Sequence, residues 1–109
     1  MLFGVSAALL DACVLSVLSN GDTYGYILTQ TVREIVDVSD STLYPVLRRL
    51  QKSDFLTTYD QPYQGRNRRY YSITKQGLAQ HEADKTSWVV YKKKIDNIIL
   101  EDEEHDNKA

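Results

Sequence analysis

The stretch that decides the fold is residues 39–53, which read SDSTLYPVLRRLQKS. Its apolar residues recur at steps of three and four, so they share one face of a helix: Leu43, Val46, Leu47 and Leu50. Residues 39–41 supply several candidate N-caps, and the helix is expected to end near Ser53. Pro45 has no N–H, which requires either a helix start close to Ser41 or a local irregularity.

The opposite face of this helix is polar and basic. Steps of about 100° per residue place six side chains on or near that face: Ser41, Tyr44, Pro45, Arg48, Arg49 and Lys52. Such a face suits a DNA major groove, where hydroxyls can bond phosphates or base edges and Arg can bond guanine bidentately. The alternative is an ordinary solvated helix face.

Two further helices are predicted before this stretch. Apolar residues at steps of three and four indicate an amphipathic helix over residues 6–18, which residues 20–22 (Asn-Gly-Asp) end. Thr23 is the expected N-cap of a second helix that continues to about Val36. The order of helix, helix, short turn and helix is that of a helix-turn-helix.

The chain then changes to an extended pattern. Residues 55–59 and 69–73 are rich in aromatic and β-branched residues, which indicates the two strands of a hairpin. Residues 60–68 are polar and contain Pro and Gly, so a long tip loop is expected. Arg66, Arg68 and Arg69 make this tip basic, either to contact a phosphate backbone or merely to be solvated. Helix-turn-helix and basic hairpin together predict a mostly α, α+β winged helix.

A long helix over residues 75–100, capped by Thr74, is expected to complete the fold. At about 1.5 Å per residue this helix approaches 40 Å, far beyond the radius of gyration of about 13 Å expected of a 100-residue domain. Much of its apolar face therefore needs a partner. The expected division is a winged-helix domain at residues 1–74, a dimerisation helix at residues 75–100 and an acidic, frayed tail at residues 101–109.

Three blocks of the chain resemble the PadR family of transcriptional regulators. They are residues 22–28 (DTYGYIL), 41–50 (STLYPVLRRL) and 68–77 (RRYYSITKQG). The resemblance covers about residues 7–77, and Ser41 stands where many members have Gly. It implies a winged-helix homodimer that is joined through its C-terminal helix and usually represses transcription.

The resemblance also implies that the dimer binds double-stranded DNA at an inverted-repeat operator, with its recognition helices in major grooves about 34 Å apart. The residues expected at the groove are Ser41, Thr42, Tyr44, Arg48 and Arg49. The residues expected at phosphates are Thr23, Tyr24, Arg66, Arg68 and Arg69. The competing interpretation is a protein-interaction module of the same shape that docks a protein through Tyr44, Tyr63 and the arginines.

Trp88 is the single tryptophan and lies near the middle of the last helix. In a two-fold dimer two copies of it could stack on a flat aromatic ligand, or it could simply pack the dimer core. Resemblance to the small PadR subgroup that binds planar drugs implies an effector site with Ala12 and Leu15 as walls, and Lys92 there would disfavour a cation. The residues expected at the dimer interface are Trp88, Tyr91, Ile95, Ile98 and Ile99.

The charge of the chain is unevenly distributed. The 109 residues include 13 Lys and Arg and 15 Asp and Glu, for a net charge of −2, which argues against a protein that coats nucleic acid indiscriminately. Residues 41–75 nevertheless carry a net charge of +5, and residues 101–109 carry −4. The overall value therefore averages a basic segment and acidic ends.

Several other functions are excluded or disfavoured. One cysteine, Cys13, allows no intrachain disulfide, and the isolated His81 and His105 do not suggest a metal site. No cofactor is expected, and no activated nucleophile points to an enzyme. The apolar residues 2–18 lack a basic leader, contain Asp11 and are shorter than the roughly 20 residues that span a bilayer, so a cytoplasmic protein is expected.

Overall fold

The computed structural model describes residues 3–100, so the predicted tail lies outside the described residues. The elements in chain order are α1 (Ala7–Ser19), β1 (Thr23–Tyr24), α2 (Gly25–Ile35), α3 (Asp40–Lys52), β2 (Leu56–Tyr63), β3 (Arg66–Ile73) and α4 (Lys75–Leu100). Helices α2 and α3 form the helix-turn-helix, and β2 and β3 form the wing. The predicted mostly α, α+β winged helix with a long last helix is confirmed.

Short hydroxyl side chains cap the N-termini of three of the four helices. Ser6 accepts a hydrogen bond from the Leu9 amide at the start of α1, and Ser39 accepts one from the Thr42 amide at the start of α3. Thr74 Oγ1 accepts from the Gly77 amide at 2.9 Å, which confirms it as the cap of α4.

The predicted cap at Thr23 is wrong. Thr23 lies in strand β1, where it pairs with Tyr71, and α2 starts two residues later at Gly25. The residue at the N-cap position is Tyr24, which makes no side-chain capping bond. The β-branched Thr and aromatic Tyr suit a strand, and the ladder with β3 takes precedence over capping.

The predicted long loop at the hairpin tip is also wrong. Strands β2 and β3 pair from Leu56 opposite Ile73 to Tyr63 opposite Arg66, leaving a two-residue turn. Gln64 and Gly65 both have positive φ, 51° and 77°, as a tight type I′ turn requires. The sheet order is β1-β3-β2, so Pro62 lies on an edge strand, where its missing N–H interrupts no inner ladder. The wing is therefore a paired two-stranded ribbon to its end.

The core lies between the three short helices and one face of the sheet. Its buried members are Leu10, Val14, Leu15, Leu18, Leu28, Val32, Leu43, Val46, Leu47, Leu50, Leu56 and Tyr71. Pro45 lies in the second turn of α3, on the solvent-exposed side, and leaves the Ser41 carbonyl without its usual helical donor.

Helix α4 packs mainly against α1 and extends away from the rest of the fold. The molecule measures 62 × 29 × 20 Å, with a radius of gyration of 16.8 Å. Apolar side chains remain exposed along α4: Trp88, Val89, Val90, Tyr91, Ile98, Ile99 and Leu100. Within residues 3–100, no helix is both long and apolar enough to cross a membrane.

Candidate nucleic-acid interface

A cluster of hydroxyl groups lies at the N-terminus of α3. Ser39 Oγ is 2.9 Å from Ser41 Oγ and 3.0 Å from Thr42 Oγ1, and all three residues are exposed. Ser39 therefore caps the helix and also orients the hydroxyls of Ser41 and Thr42, both of which are predicted at the groove. These groups lie where the helix presents its free amides, which favours an anionic partner such as a phosphate.

The exposed side of α3 continues through Tyr44 and Arg48, which are close enough to affect the pKa of the Tyr71 phenol on β3. Burial raises the pKa of the Tyr71 phenol, while the positive charges of Arg69 and Arg48 act against that rise. Tyr44, Arg48 and Arg69 therefore lie within electrostatic range of one phenol, on the side where α3 packs against the wing.

The sequence did not predict that Tyr71, a core residue, lies next to this surface. Tyr71 is 8% exposed and packs in the core. The charged groups that affect its pKa nevertheless include Arg48 on α3 and Arg69 on the wing. Strand alternation could have indicated this position, because it places residues 69 and 71 on the same face of β3.

Arg49 is separated from this surface. Its Nη2 donates to Asp11 Oδ1 on α1, so the guanidinium is directed toward the neighbouring helix. Of the two adjacent arginines on α3, only Arg48 extends from the exposed face without an ion pair of this kind, within the part of the chain that the structure describes.

The three wing arginines are divided between the two faces of the hairpin. Arg69 shares a face with Tyr71 and lies 3.7 Å from its cross-strand partner Asp60. Arg66 and Arg68 are on the other face by the alternation of β3. The predicted basic tip is therefore divided into two basic surfaces, one on each face of a paired ribbon.

The face that carries Arg66 and Arg68 is lined with tyrosines, which we call the tyrosine face: Tyr24, Tyr59, Tyr63 and Tyr70. Tyr59 and Tyr70 stack at 5.4 Å between ring centroids, with 13° between their planes. Tyr24 packs edge-on against Tyr70 at 5.6 Å and lies under the Arg68 guanidinium at 5.0 Å. Among the described residues, Arg68 Nε is buried without a hydrogen-bond partner. This face combines aromatic and cationic groups.

A hydrogen bond fastens the tyrosine face to the α1–β1 turn. Tyr59 donates its hydroxyl proton to Asp22 Oδ2 at 2.8 Å, and this bond raises the pKa of Tyr59. Thr23, expected at a phosphate, is half-buried opposite Tyr71, whereas Tyr24 is half-buried on the tyrosine face. The two neighbouring residues therefore point to opposite sides of the sheet.

The residues predicted for an effector site are only partly together. Trp88 is 45% exposed and lies 6.1 Å from Tyr91 between ring centroids, and Ala12 is half-buried. Leu15 is fully buried in the core of its own subunit, so it offers no wall to a ligand, which corrects that prediction. The Lys92 ammonium donates to Asp96 at 3.1 Å, so its charge is partly offset.

Of the residues predicted at a dimer interface, Ile95 is half-buried, and the others present exposed apolar surface on α4. Across residues 3–100, no three His, Cys, Asp or Glu side chains are grouped so that they could hold a metal ion. Burial raises the pKa of the Cys13 thiol, which makes this thiol less nucleophilic.

Comparison with known proteins places this geometry in context. Residues 14–83 match the model of a family described as the transcriptional regulator PadR-like family. A protein of Lysinibacillus sphaericus is 30% identical over 92 residues, covering 80% of this chain and 84% of that protein.

Solved structures are similar over most of the chain. A Streptococcus mutans protein is 41% identical, with a TM-score of 0.85, and covers 92% of this chain and 94% of its own. A PadR-like transcriptional regulator from Bacillus cereus is 32% identical, with a TM-score of 0.76 over 84% of this chain and 92% of its own. A PadR family transcription regulator from Clostridium difficile is 30% identical, with a TM-score of 0.73 over 84% of this chain and 97% of its own.

Proposed function

Because the chain belongs to the PadR-like family of transcriptional regulators, we propose that it represses transcription by binding an inverted-repeat operator as a homodimer. The observation that carries the proposal is the joint surface of α3 and the wing. Tyr44 and Arg48 are exposed on α3, which packs against the wing that carries Arg69, and the exposed hydroxyls of Ser41 and Thr42 lie at the start of the same helix. Guanidinium, phenol and hydroxyl groups on a protruding helix match the donors that read base edges and phosphates.

The two parts of this surface have different roles in the proposal. Helix α3 enters a major groove, where Arg48 and Tyr44 reach base edges and the hydroxyls of Ser41 and Thr42 bond the flanking phosphates. The wing lies along the phosphate backbone, with Arg66 at its tip and Arg68 and Arg69 on its two faces. Thr23 is half-buried, so Tyr24 is the better placed of the pair to contact the backbone.

Operator binding is tested by footprinting the region upstream of the protein's own gene and comparing its affinity with that of a random duplex of equal length. We expect a preference of at least about a thousandfold at physiological salt. Equal affinity for both duplexes would overturn sequence-specific regulation. Salt-insensitive binding to a protein partner, with no DNA binding, would instead favour the protein-interaction module.

Replacing Arg66 with alanine is expected to weaken binding to all duplexes alike. Each lost phosphate contact flattens the log–log dependence of affinity on salt by about 0.9, or about 1.8 for two subunits. The measurement is a salt titration by fluorescence anisotropy. The matched control is Lys85→Ala, because Lys85 lies on α4 and pairs with Glu82, so the slope should not change.

We also propose that planar aromatic ligands bind between the α4 helices of a dimer and release the operator. The supporting observation is the pair of exposed rings, Trp88 beside Tyr91, on the part of α4 that extends beyond the rest of the subunit. Lys92 lies one turn on from Trp88, and its partner Asp96 lies one turn further.

Ligand binding at this site is expected to quench the fluorescence of Trp88 and to lower operator affinity over the same concentration range. A panel of neutral, anionic and cationic planar dyes tests both effects, and the single tryptophan makes the emission specific. Trp88→Phe keeps an aromatic ring and controls for dyes that act on DNA alone. Unchanged emission across the whole panel counts against an effector site here.

A further inference from the structure

The Arg49 side chain connects the helix that carries the DNA-facing groups to a helix that carries none of them. Its Nη2 donates to Asp11 Oδ1 on α1, across 38 residues of sequence. The Arg49 side chain is 45% exposed and that of Asp11 is 30% exposed. The ion pair is therefore partly shielded from solvent, and salt screens it less than a fully exposed pair.

The contact between α1 and α3 is otherwise apolar. Leu10 and Val14 from α1 and Val46 and Leu50 from α3 belong to the same buried cluster. Hydrophobic contacts hold two helices together but are non-directional, so they permit some sliding and rotation. A charged hydrogen bond between fixed positions selects one register among these arrangements.

The ion pair of Arg49 lies near one end of α3, and a second ion pair lies near the other end. Arg49 lies in the last turn of α3, while Asp40 in the first turn is 3.3 Å from Arg33 on α2. Both ends of α3 are thus tied to neighbouring helices by ion pairs, with Tyr44 and Arg48 between them. The Arg33 pair is more exposed, at 52% for each side chain, so the Arg49 pair is the better shielded of the two.

We infer that Arg49 is a positioning residue, which fixes the orientation of α3 on α1 through Asp11 and makes no contact with DNA. This inference rests on the proposed function. The Asp11 carboxylate beside the guanidinium offsets its charge and repels a phosphate that approached it. Arg48, about 100° further around the helix, keeps the direct role.

The test compares three variants with the wild-type dimer: Asp11→Arg, Arg49→Glu and the double exchange. The probe is a duplex that the wild-type protein selects from a randomised pool, and affinity is measured as a function of salt. Each single exchange is expected to lower affinity about 4- to 25-fold for two subunits, with the salt slope unchanged. The double exchange restores the ion pair with reversed polarity and is expected to recover affinity to within about threefold of wild type.

The neighbouring Arg48 provides the matched control. Arg48→Glu is expected to flatten the salt slope by about 1.8 for two subunits, and adding Asp11→Arg to it should recover nothing. Thermal unfolding establishes that each variant is folded, and Arg49→Gln replaces Arg49→Glu if the latter is not.

Other results would overturn the inference. If Arg49→Glu flattens the slope as Arg48→Glu does and the double exchange fails to recover affinity, Arg49 binds a phosphate. If neither single exchange changes affinity, the ion pair positions nothing. A wild-type protein that selects no duplex refutes the proposed function itself, and this inference with it, before any variant is compared.

Discussion

Replacing Gly77 with alanine is expected to destabilise the protein by about 3 kcal/mol, although the residue lies within helix α4. On helix propensity alone the exchange should stabilise the helix by about 1 kcal/mol. The structure reverses that expectation. A Cβ at this position would lie 2.3 Å from the Phe55 carbonyl oxygen and 2.6 Å from Cγ1 of Ile73. At least one of these groups has to move.

The Phe55 carbonyl cannot move without consequence. It accepts a hydrogen bond from the Thr74 amide at 3.0 Å, and the Thr74 hydroxyl donates to the Asp54 carbonyl at 2.7 Å. Thr74 also caps α4 through the Gly77 amide. An added methyl group would therefore separate the start of α4 from the turn before β2 and weaken the cap, so overpacking and lost hydrogen bonds act in the same direction.

The change is measured by thermal or urea unfolding at a fixed protein concentration, where a fall in Tm of roughly 10–20 °C is expected. The matched control is Gly4→Ala, because a Cβ at Gly4 would meet nothing within 4 Å and should alter Tm little. A Gly77→Ala variant as stable as wild type would show that α4 can shift away from the Phe55 carbonyl at no cost.

Local signals in the sequence were sufficient to predict the helices. The apolar spacing in residues 39–53 predicts α3. Thr74 is predicted as a cap and Ser39 as one of three candidates, because a capping bond involves residues only three apart. The helix-turn-helix and the long last helix follow from the same local rules. For this reason the fold class could be predicted correctly from the sequence.

The errors involve contacts between residues distant in sequence. Thr23 resembles a cap until its pairing with Tyr71, across 48 positions, makes it part of a strand. The polar residues 60–68 resemble a loop because both faces of the wing beyond the core are solvated, so the usual alternation of apolar and polar residues is missing there. The division of the basic cluster between the two faces followed only when the register was known.

The candidate site was predictable in composition but not in arrangement. Arg48 and Arg49 are identical in type and adjacent, and only the proximity of Asp11 distinguishes them. Leu15 and Ala12 likewise lie on the same helix, yet Leu15 is in the core and Ala12 is half-buried. Sequence periodicity gives the direction of a side chain around a helix but not the neighbour that it meets.

Replacing Ile98 with glutamate on α4 is expected to separate the proposed dimer into monomers and to lower operator affinity by about 10²- to 10⁴-fold. Ile98 is 67% exposed in the single subunit and lies on the stripe that also contains Trp88, Tyr91 and Ile95. Ile95 is half-buried, but Trp88, Tyr91 and Ile98 remain exposed in the single subunit. In a symmetric dimer the substitution would bury an unpaired charge in the interface once from each subunit.

The loss of affinity follows from the loss of the second half-site. Once one subunit is bound, its partner binds at a high effective concentration, and dissociation of the dimer removes that advantage. Sedimentation velocity measures the oligomeric state, and anisotropy on the selected duplex measures affinity for the same samples. Thr86→Glu is the matched control, because it adds the same charge to an exposed position on the opposite side of α4.

The oligomeric state and the operator affinity, measured together, distinguish the ways in which this prediction could be wrong. A monomeric Ile98→Glu variant that binds the operator as tightly as wild type would show that one subunit suffices, which contradicts recognition of an inverted repeat by a dimer. A variant that remains dimeric would place the interface away from the stripe of Ile98, and the exposed Val89 and Val90 on another side of α4 would then be the surface to substitute. A variant that is monomeric and binds weakly would explain the length of α4: the helix extends beyond its own domain because its apolar face packs in the dimer interface.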